Sequence, residues 1–417
     1  VISISSILIL TTTGWVLSVL CGGLCAFWIA VALVIRAGGK ASPSLAGGLL
    51  HDFGRGKEGI GPSVSVVMPA HNEEELIDES LASIRSSDYV NVIEIIVVAD
   101  RCTDGTVAIV LRHQGEDGRV RLIELDECPT GWSGKCHSCW NGYRSATGDY
   151  LLFTDADTLF DTKLVRASVG CMLKGGLDFL SLLGRLRFEH DFERSAQPIA
   201  AMTLMRMYPI AKANRDDAKK RRPFANGQFM LFSREAYEAV GTHERLKGAI
   251  LEDLRFARRL TNHGFKLGVA LAGDMFTVRM YDTVARFHRG WKRIFIEGAN
   301  RNIPRLRIAG ARLRGLSIWP IVSAAGIVFG FGVLRSDFAL GIVTAGLGFV
   351  SFALGFFVLR RIYDLQGAPA RCLLWFWSGC LQVAALLSEA ARDLRDDRGI
   401  EWAALHYEVE SREEGKG

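Results

Sequence analysis

Charge is missing from long stretches of this 417-residue chain: none occurs from Val1 to Ile35, Gly315 to Leu334, Phe338 to Leu359 or Cys372 to Ser388. A helix of about 20 apolar residues crosses about 30 Å of hydrocarbon. The four stretches therefore read as one N-terminal and three C-terminal spanning helices, the last of them short. With 49% hydrophobic residues and a mean hydropathy of +0.17, the composition is high for a soluble enzyme. Glycine-rich phosphate loops are missing too. No G-x-G-x-x-G follows a strand, and Pro129 stands where the first Walker glycine before Gly134-Lys135 would be, with Cys136 after them. A dinucleotide oxidoreductase and a P-loop ATPase are both excluded. A net charge of +5 and the lack of helix-turn-helix or zinc-finger spacing argue against a nucleic-acid partner. Of nine cysteines, only Cys136 and Cys139 form a C-x-x-C, and no second pair completes a zinc site or a disulfide framework.

Basic residues crowd the edges of the uncharged stretches. Arg36 and Lys40 follow the first; Arg301, Arg305, Arg307, Arg312 and Arg314 precede the second; Arg360, Arg361 and Arg371 lie between the third and fourth. The positive-inside rule then places residues 37–314 in the cytoplasm and both termini outside. If the short fourth stretch lies in the interface instead, the acidic tail after Glu389 is cytoplasmic as well. No basic n-region precedes the first stretch, so it reads as an uncleaved anchor in a membrane, with the bacterial inner membrane the expected one. The expected organisation is an anchor at 1–36, a Gly/Ser/Pro-rich linker at 37–62, an α/β domain at 63–302, a basic juxtamembrane segment at 303–314, membrane helices at 315–390 and a charged tail at 391–417.

Within 63–302 strand and helix patterns alternate. A strand ends at Pro69, and Asn72 with Glu73, Glu74 and Glu75 reads as the capped start of a helix. Further strands are expected at Val92–Asp100, Val120–Leu125 and Tyr150–Thr154, with helices at Thr106–Arg112 and Gly134–Ala146 between them. Later strand candidates are Leu177–Leu183, Gly227–Phe232 and Lys266–Leu271, and a helix runs from Glu252 to His263, stopped by Gly264. This rhythm predicts an α/β fold with a mixed, mostly parallel sheet sandwiched by helices.

Acids fall at the ends of these elements: Asp100, Asp104, the pair Asp155 and Asp157, and Glu252-Asp253. Ligand sites of open α/β sheets lie outside the carboxyl ends of strands. A D-x-D there suits a hard cation such as Mg²⁺, which is held by one or two carboxylates plus substrate phosphates. Lys135, at a helix start, and the basic cluster from Arg289 to Arg293 would add positive charge. A carboxylate apart from the metal, Glu252 or Asp253, is the candidate general base.

Seven stretches then stand in a recognisable order: VVMPAHNEE, VVADRCTDGT, GWSGKCHSCWNG, GDYLLFTDADT, NGQFMLFSREAYEAVG, LEDLRFARRL and VRMYDTVARFHRGWKR. From Ser63 to about Asn302 the chain resembles a family 2 glycosyltransferase of the GT-A fold. The resemblance implies a UDP- or GDP-linked sugar donor, Mg²⁺ or Mn²⁺, and inversion at the anomeric carbon. It assigns Pro69, Ala70 and Glu73 to the nucleoside pocket and Asp100 to the base. Asp104 and Thr106 match the D-x-T that follows, equally readable as a helix cap. Lys135 falls near the nucleotide, Asp155 and Asp157 on the metal with Asp157 as direct ligand, and Asp253 on the general base with Glu252 beside it. Asn226, Gly227 and Gln228 match the segment facing the acceptor, and Trp291 an aromatic that closes the site.

Two departures matter. Phe287 and Gly290 stand where processive members carry the Gln and Arg of Q-x-x-R-W, which points to single transfer over the alternative of a polysaccharide synthase; an inactive scaffold of the same fold is the other alternative. Thr242 replaces a glycine of the pattern's GGH. The nearer resemblance is to membrane enzymes that glycosylate lipids, among them ceramide, carotenoid and hopene-associated glycosyltransferases. The Met-rich segment Ala196–Ala213 reads equally as an interfacial helix that admits a lipid and as core.

Overall fold

The computed structural model describes residues 4–51, 53, 61–249, 251–396, 400–402 and 405–407. They divide into two compact units, one formed by residues 38–187 and 208–280, the other by 1–37, 188–207 and 281–417. Parts of the expected linker (52 and 54–60) and most of the expected tail lie outside the described residues.

The first unit is built on an eight-stranded sheet of β1 (Val64–Ala70), β2 (Val92–Asp100), β3 (Val120–Leu125), β4 (Tyr150–Thr154), β5 (Thr158–Phe160), β6 (Phe179–Leu186), β7 (Phe229–Ser233) and β8 (Leu267–Val278). Its order is β3-β2-β1-β4-β7-β6-β8-β5. The β2–β3, β1–β2, β1–β4 and β6–β8 pairs are parallel, and β4–β7, β6–β7 and β5–β8 antiparallel, so the mixed, mostly parallel expectation is met. Strands buried on both faces read as unbroken apolar runs, and β7 shows why. Phe229 and Leu231 face one core with Phe160 and Phe276, while Met230 and Phe232 face the other with Phe153, Tyr237 and Phe256.

Register positions the site. Thr154, the last residue of β4, pairs with Phe229, the first of β7. The chain leaving β4 at Asp155 therefore runs beside the chain entering β7 at Asn226–Gln228. The Thr154 hydroxyl donates to the Gln228 carbonyl at 2.9 Å, and the Ser181 hydroxyl on β6 accepts from the Asn226 N–H at 2.8 Å.

Two local expectations are corrected. The helix expected at Asn72 begins at Ile77 instead. Asn72 is left-handed (φ 57°), and its Oδ1 accepts from the Thr103 N–H at 2.8 Å, while the Glu73 N–H donates to Thr106 Oγ1 at 2.8 Å. The capping groups serve the loop after β2, not a helix of their own. Within the expected linker, Leu45–Leu49 is a helix capped by Ser44, which accepts from the Gly47 N–H, and it lies backbone to backbone on the Leu164–Gly175 helix at Gly48 and Gly170.

The second unit is helical. Four stretches, Leu8–Leu49, Ile303–Val333, Phe338–Gln366 and Ala370–Arg395, are long and apolar enough to cross a membrane. Small residues let the helices approach, with Ser323 bonded to Ser351 at 2.6 Å and Ser18 to Thr344 at 2.8 Å. The Met-rich segment forms two helices, Asp191–Met207 in this unit and Ile210–Ala213 in the first. The longer one packs on the Phe376–Arg395 helix, where Gly379 lies under the Ser195 carbonyl.

Candidate active site

Lys135 opens the Gly134–Ser145 helix, whose N-terminus is capped by Ser133. Its ammonium lies 2.7 Å from Asp155 Oδ1 and 2.9 Å from Glu252 Oε1. Three chain segments remote in sequence thus meet at one cation. Burial opposes the charge on Lys135, but Asp155 and Glu252 outweigh it and hold the ammonium well above its ordinary range. Burial likewise opposes ionisation of Glu252, yet Lys135 prevails and lowers its carboxyl.

Asp253 stands in a different state from its neighbour. Its Oδ2 accepts from the Gly227 N–H at 3.0 Å and its Oδ1 from the Leu254 N–H at 2.7 Å. Burial, and then the charge of Glu252, push its carboxyl up to about 7 in spite of Lys135 and those two N–H groups. Two adjacent acids at the start of the Glu252–Asn262 helix are thereby separated: one an ion-pair partner, the other poised to exchange a proton near neutrality.

The D-x-D turn between β4 and β5 is closed by the Thr154 and Thr158 hydroxyls, 3.0 Å apart, with Thr158 also donating to the Asp155 carbonyl at 2.9 Å. Asp157 Oδ1 is shut off from solvent with no hydrogen-bond partner. Burial, then Asp155 and Glu73, raise the Asp157 carboxyl well above the ordinary range. An orphaned acceptor that feels the charge of two more carboxylates fits a divalent cation. No three His, Cys, Asp or Glu side chains converge as a ready-made cage among the described residues, so the remaining ligands of Mg²⁺ or Mn²⁺ would be donor phosphates and water.

The other expected residues are placed as follows. Ala70 is buried, and Pro69 and Glu73 are half-buried at the carboxyl edge of β1. Asp100, at the end of β2, is engaged through both oxygens by Arg101, at 2.8 and 2.7 Å. Asp104 Oδ1 accepts from the Thr106 N–H at 3.0 Å, one residue ahead of Gly105, the N-cap of the following helix. Asn226 donates to the Leu182 carbonyl at 3.0 Å and to Gln228 Oε1 at 3.2 Å. Trp291 belongs to the helical unit, where its buried indole donates to Gln197 Oε1 at 3.0 Å. Cys136 and Cys139 are free and buried, their thiols pushed up by burial, to about 12 at Cys136, so the C-x-x-C is core. Sequence reasoning missed the Arg101 clamp on Asp100 and the bridging role of Lys135; the adjacent Asp-Arg was a usable signal for the first, whereas nothing local signalled the second.

Thr242 accounts for the glycine it replaces. Its φ is +58°, a left-handed conformation that costs an L-residue about 1–2 kcal/mol. Thr242→Gly is expected to raise unfolding stability by about 1 kcal/mol. The gain is tempered by losing the Oγ1 that accepts from the Glu244 N–H at 3.2 Å. Denaturation of the detergent-solubilised variant measures this; a lower midpoint than the parent refutes the strain argument.

The sheet order, with acids along its carboxyl edge, defines a GT-A-type fold. The structure aligns with a mannosyltransferase from Pyrobaculum calidifontis, solved in complex with GDP-Man and Mn²⁺, at a TM-score of 0.50 and 18% identity, over 93% of this chain and 99% of that one. That is a likeness of fold. The family is given by sequence: residues 65–241 match the family described as Glycosyl transferase family 2. The chain thus carries a family 2 glycosyltransferase domain, and the protein is a glycosyltransferase. Relatives include the 4,4'-diaponeurosporenoate glycosyltransferases of Staphylococcus aureus strains MRSA252 and USA300, 25% and 24% identical over 269 residues, which are 64% of this chain and 68% of each relative.

Proposed function

We propose that the protein transfers one sugar, with inversion, from a UDP- or GDP-linked donor to a hydroxyl of a membrane lipid, with the site on the cytoplasmic face of a bacterial inner membrane. The observation that carries this reading is the split acid pair: Glu252 is neutralised by Lys135, and Asp253 is left with a proton affinity near neutrality. Asp253 acts as the base that takes the acceptor hydroxyl's proton, held in place by the Gly227 N–H. Asp157, with Asp155, would hold the divalent cation, which when bound offsets the charge developing on the leaving diphosphate. Lys135 fixes Asp155 and Glu252 in place. Pro69, Ala70, Glu73 and Asp100 form the donor side, and Asn226, Gly227 and Gln228 are assigned to the acceptor side.

A lipid acceptor is supported by the four apolar helical stretches and by relatives named for a carotenoid-acid substrate. Single transfer is supported by Gly290. A Cβ there would lie 2.1 Å from Tyr281 Oη, so the arginine of the processive pattern fits only if the Tyr281 ring moves. The test is Mn²⁺-dependent incorporation of labelled sugar from a panel of UDP- and GDP-sugars by membranes containing the protein. Label in an organic-soluble product is the expected result. Label confined to high-molecular-weight material overturns single lipid transfer, and donor binding without any product overturns the enzymatic reading.

A further inference from the structure

Between the Ile210–Ala213 helix and Asn226–Gln228 the chain carries a dense run of positive charge that the transfer described above does not use. Lys212, Arg215, Lys219, Lys220, Arg221 and Arg222 stand against Asp216 and Asp217 alone. Six basic residues against two acids leave +4 over residues 212–222, when the whole chain carries +5.

The loop is anchored from inside. Asn214 clasps β8, its side chain donating to the Val269 carbonyl at 2.8 Å and accepting from the Val269 N–H at 2.7 Å. The Arg222 N–H closes the loop on the Lys212 carbonyl at 3.0 Å. The Arg222 guanidinium lies 4.9 Å over the ring of Tyr208, which packs on Phe224, and Arg221 donates to the Phe265 carbonyl at 3.4 Å. The other four cations face outward: Lys212, Arg215, Lys219 and Lys220 are exposed. Of these four, only Lys220 has an acid partner among the described residues, Asp217 at 3.3 Å.

This charge stands at the end of a membrane helix. The first uncharged stretch ends at Ile35, and Gly38 lies three residues, or about 4.5 Å, further along the same Ile4–Ala41 helix. Gly38 is buried, and a Cβ on it would lie 3.8 Å from Ile210 Cβ. Just past that helix, Ser42 donates to the same Val269 carbonyl that Asn214 holds, at 3.5 Å. Lys40 in the last turn is exposed as well. Cations so close to the end of a spanning helix meet lipid headgroups, and the cytoplasmic leaflet is the anionic one.

We propose that residues 212–222 are a docking surface for the headgroups of anionic phospholipids, with Lys212, Arg215, Lys219 and Lys220 as the contacting groups. The proposal rests on the membrane placement given above and not on the transfer chemistry. Phe224 and Ala225 are buried and lead straight into Asn226, so headgroup contact holds the acceptor-side segment at the membrane surface.

The experiment is peptide-resolved hydrogen exchange of the full chain in nanodiscs, of phosphatidylcholine alone or mixed with phosphatidylglycerol. Wild type is compared with the combined variant Lys212→Gln, Arg215→Gln, Lys219→Gln, Lys220→Gln. In wild type the amides of 212–222 are expected to exchange about fivefold more slowly in the anionic discs, the weight of one Lys or Arg at such a surface. The difference should vanish in about 1 M NaCl, where the Debye length falls to about 3 Å. It should also vanish in the variant, whose substitutions touch only exposed side chains and leave exchange in β8 unchanged. Equal exchange in the two lipids, or a difference that survives in the variant, overturns the proposal. Equal slowing by inorganic phosphate in phosphatidylcholine discs overturns it too, by showing a site for free phosphate. No donor or acceptor is present in this experiment, so its failure is distinct from a failure of the transferase reading.

Discussion

Asp253→Asn is expected to lower kcat by about a thousandfold, with the donor KM little changed, because a positioned general base contributes about 10²–10⁴ in rate. The substitution keeps shape and leaves one oxygen to accept from the Gly227 N–H, so the loop entering β7 stays in place, while the Leu254 N–H at the helix start loses its acceptor. Its pH dependence is the sharper test. A carboxyl raised to about 7 by burial and Glu252 must lose its proton before it can act as a base. Wild-type kcat/KM is therefore expected to fall as pH drops through about 7, while the residual activity of Asp253→Asn stays flat over that range. A variant retaining more than a tenth of the activity, or still showing the limb, assigns the base elsewhere.

Asp157→Asn is expected to abolish Mn²⁺-dependent transfer and at the same time to stabilise the protein in chelator. The two effects have one cause. Asp157 Oδ1 has no partner, and burial, Asp155 and Glu73 all disfavour its charge. A buried unsatisfied acceptor of this kind costs about 1–3 kcal/mol, more when charged. The neutral amide keeps a polar atom there but removes the charge that burial, Asp155 and Glu73 oppose, and with it the affinity for a cation. Titration of Mn²⁺ should show binding to wild type and none to the variant. Thermal denaturation in EDTA should place the variant above the parent by about 1–3 kcal/mol. Undiminished Mn²⁺ binding, or a variant less stable in EDTA, contradicts the metal role.

Much of the sheet was legible in advance. The bounds Val92–Asp100, Val120–Leu125 and Tyr150–Thr154 were expected and are observed. These runs are bounded by turn residues, and burial on one or both faces keeps them largely apolar. The later strands were placed less well: β8 runs on to Val278, past the polar Gly273-Asp274, because β5 and β6 supply partners for its far end. The helix start at Asn72 failed because its capping groups are spent on Thr103 and Thr106. The Leu45–Leu49 helix was hidden because its Gly/Ser/Pro-rich surroundings have the composition of a loop, whereas its stability comes from Gly48 docking on Gly170.

The candidate site divides along the same line. Which residue types stand at the strand ends, where charge is missing, and the order of seven motifs are properties of the linear chain, and they determined fold class, family and the list of acids. What those acids are was decided by the tertiary structure. Lys135, Asp155 and Glu252 come from separate elements and meet within 2.7 to 2.9 Å only because β4, β7 and two helix starts converge. Charge interactions depend on distance and burial, and neither is written in local sequence. That is why Glu252 and Asp253, neighbours in the chain, emerge with opposite proton affinities.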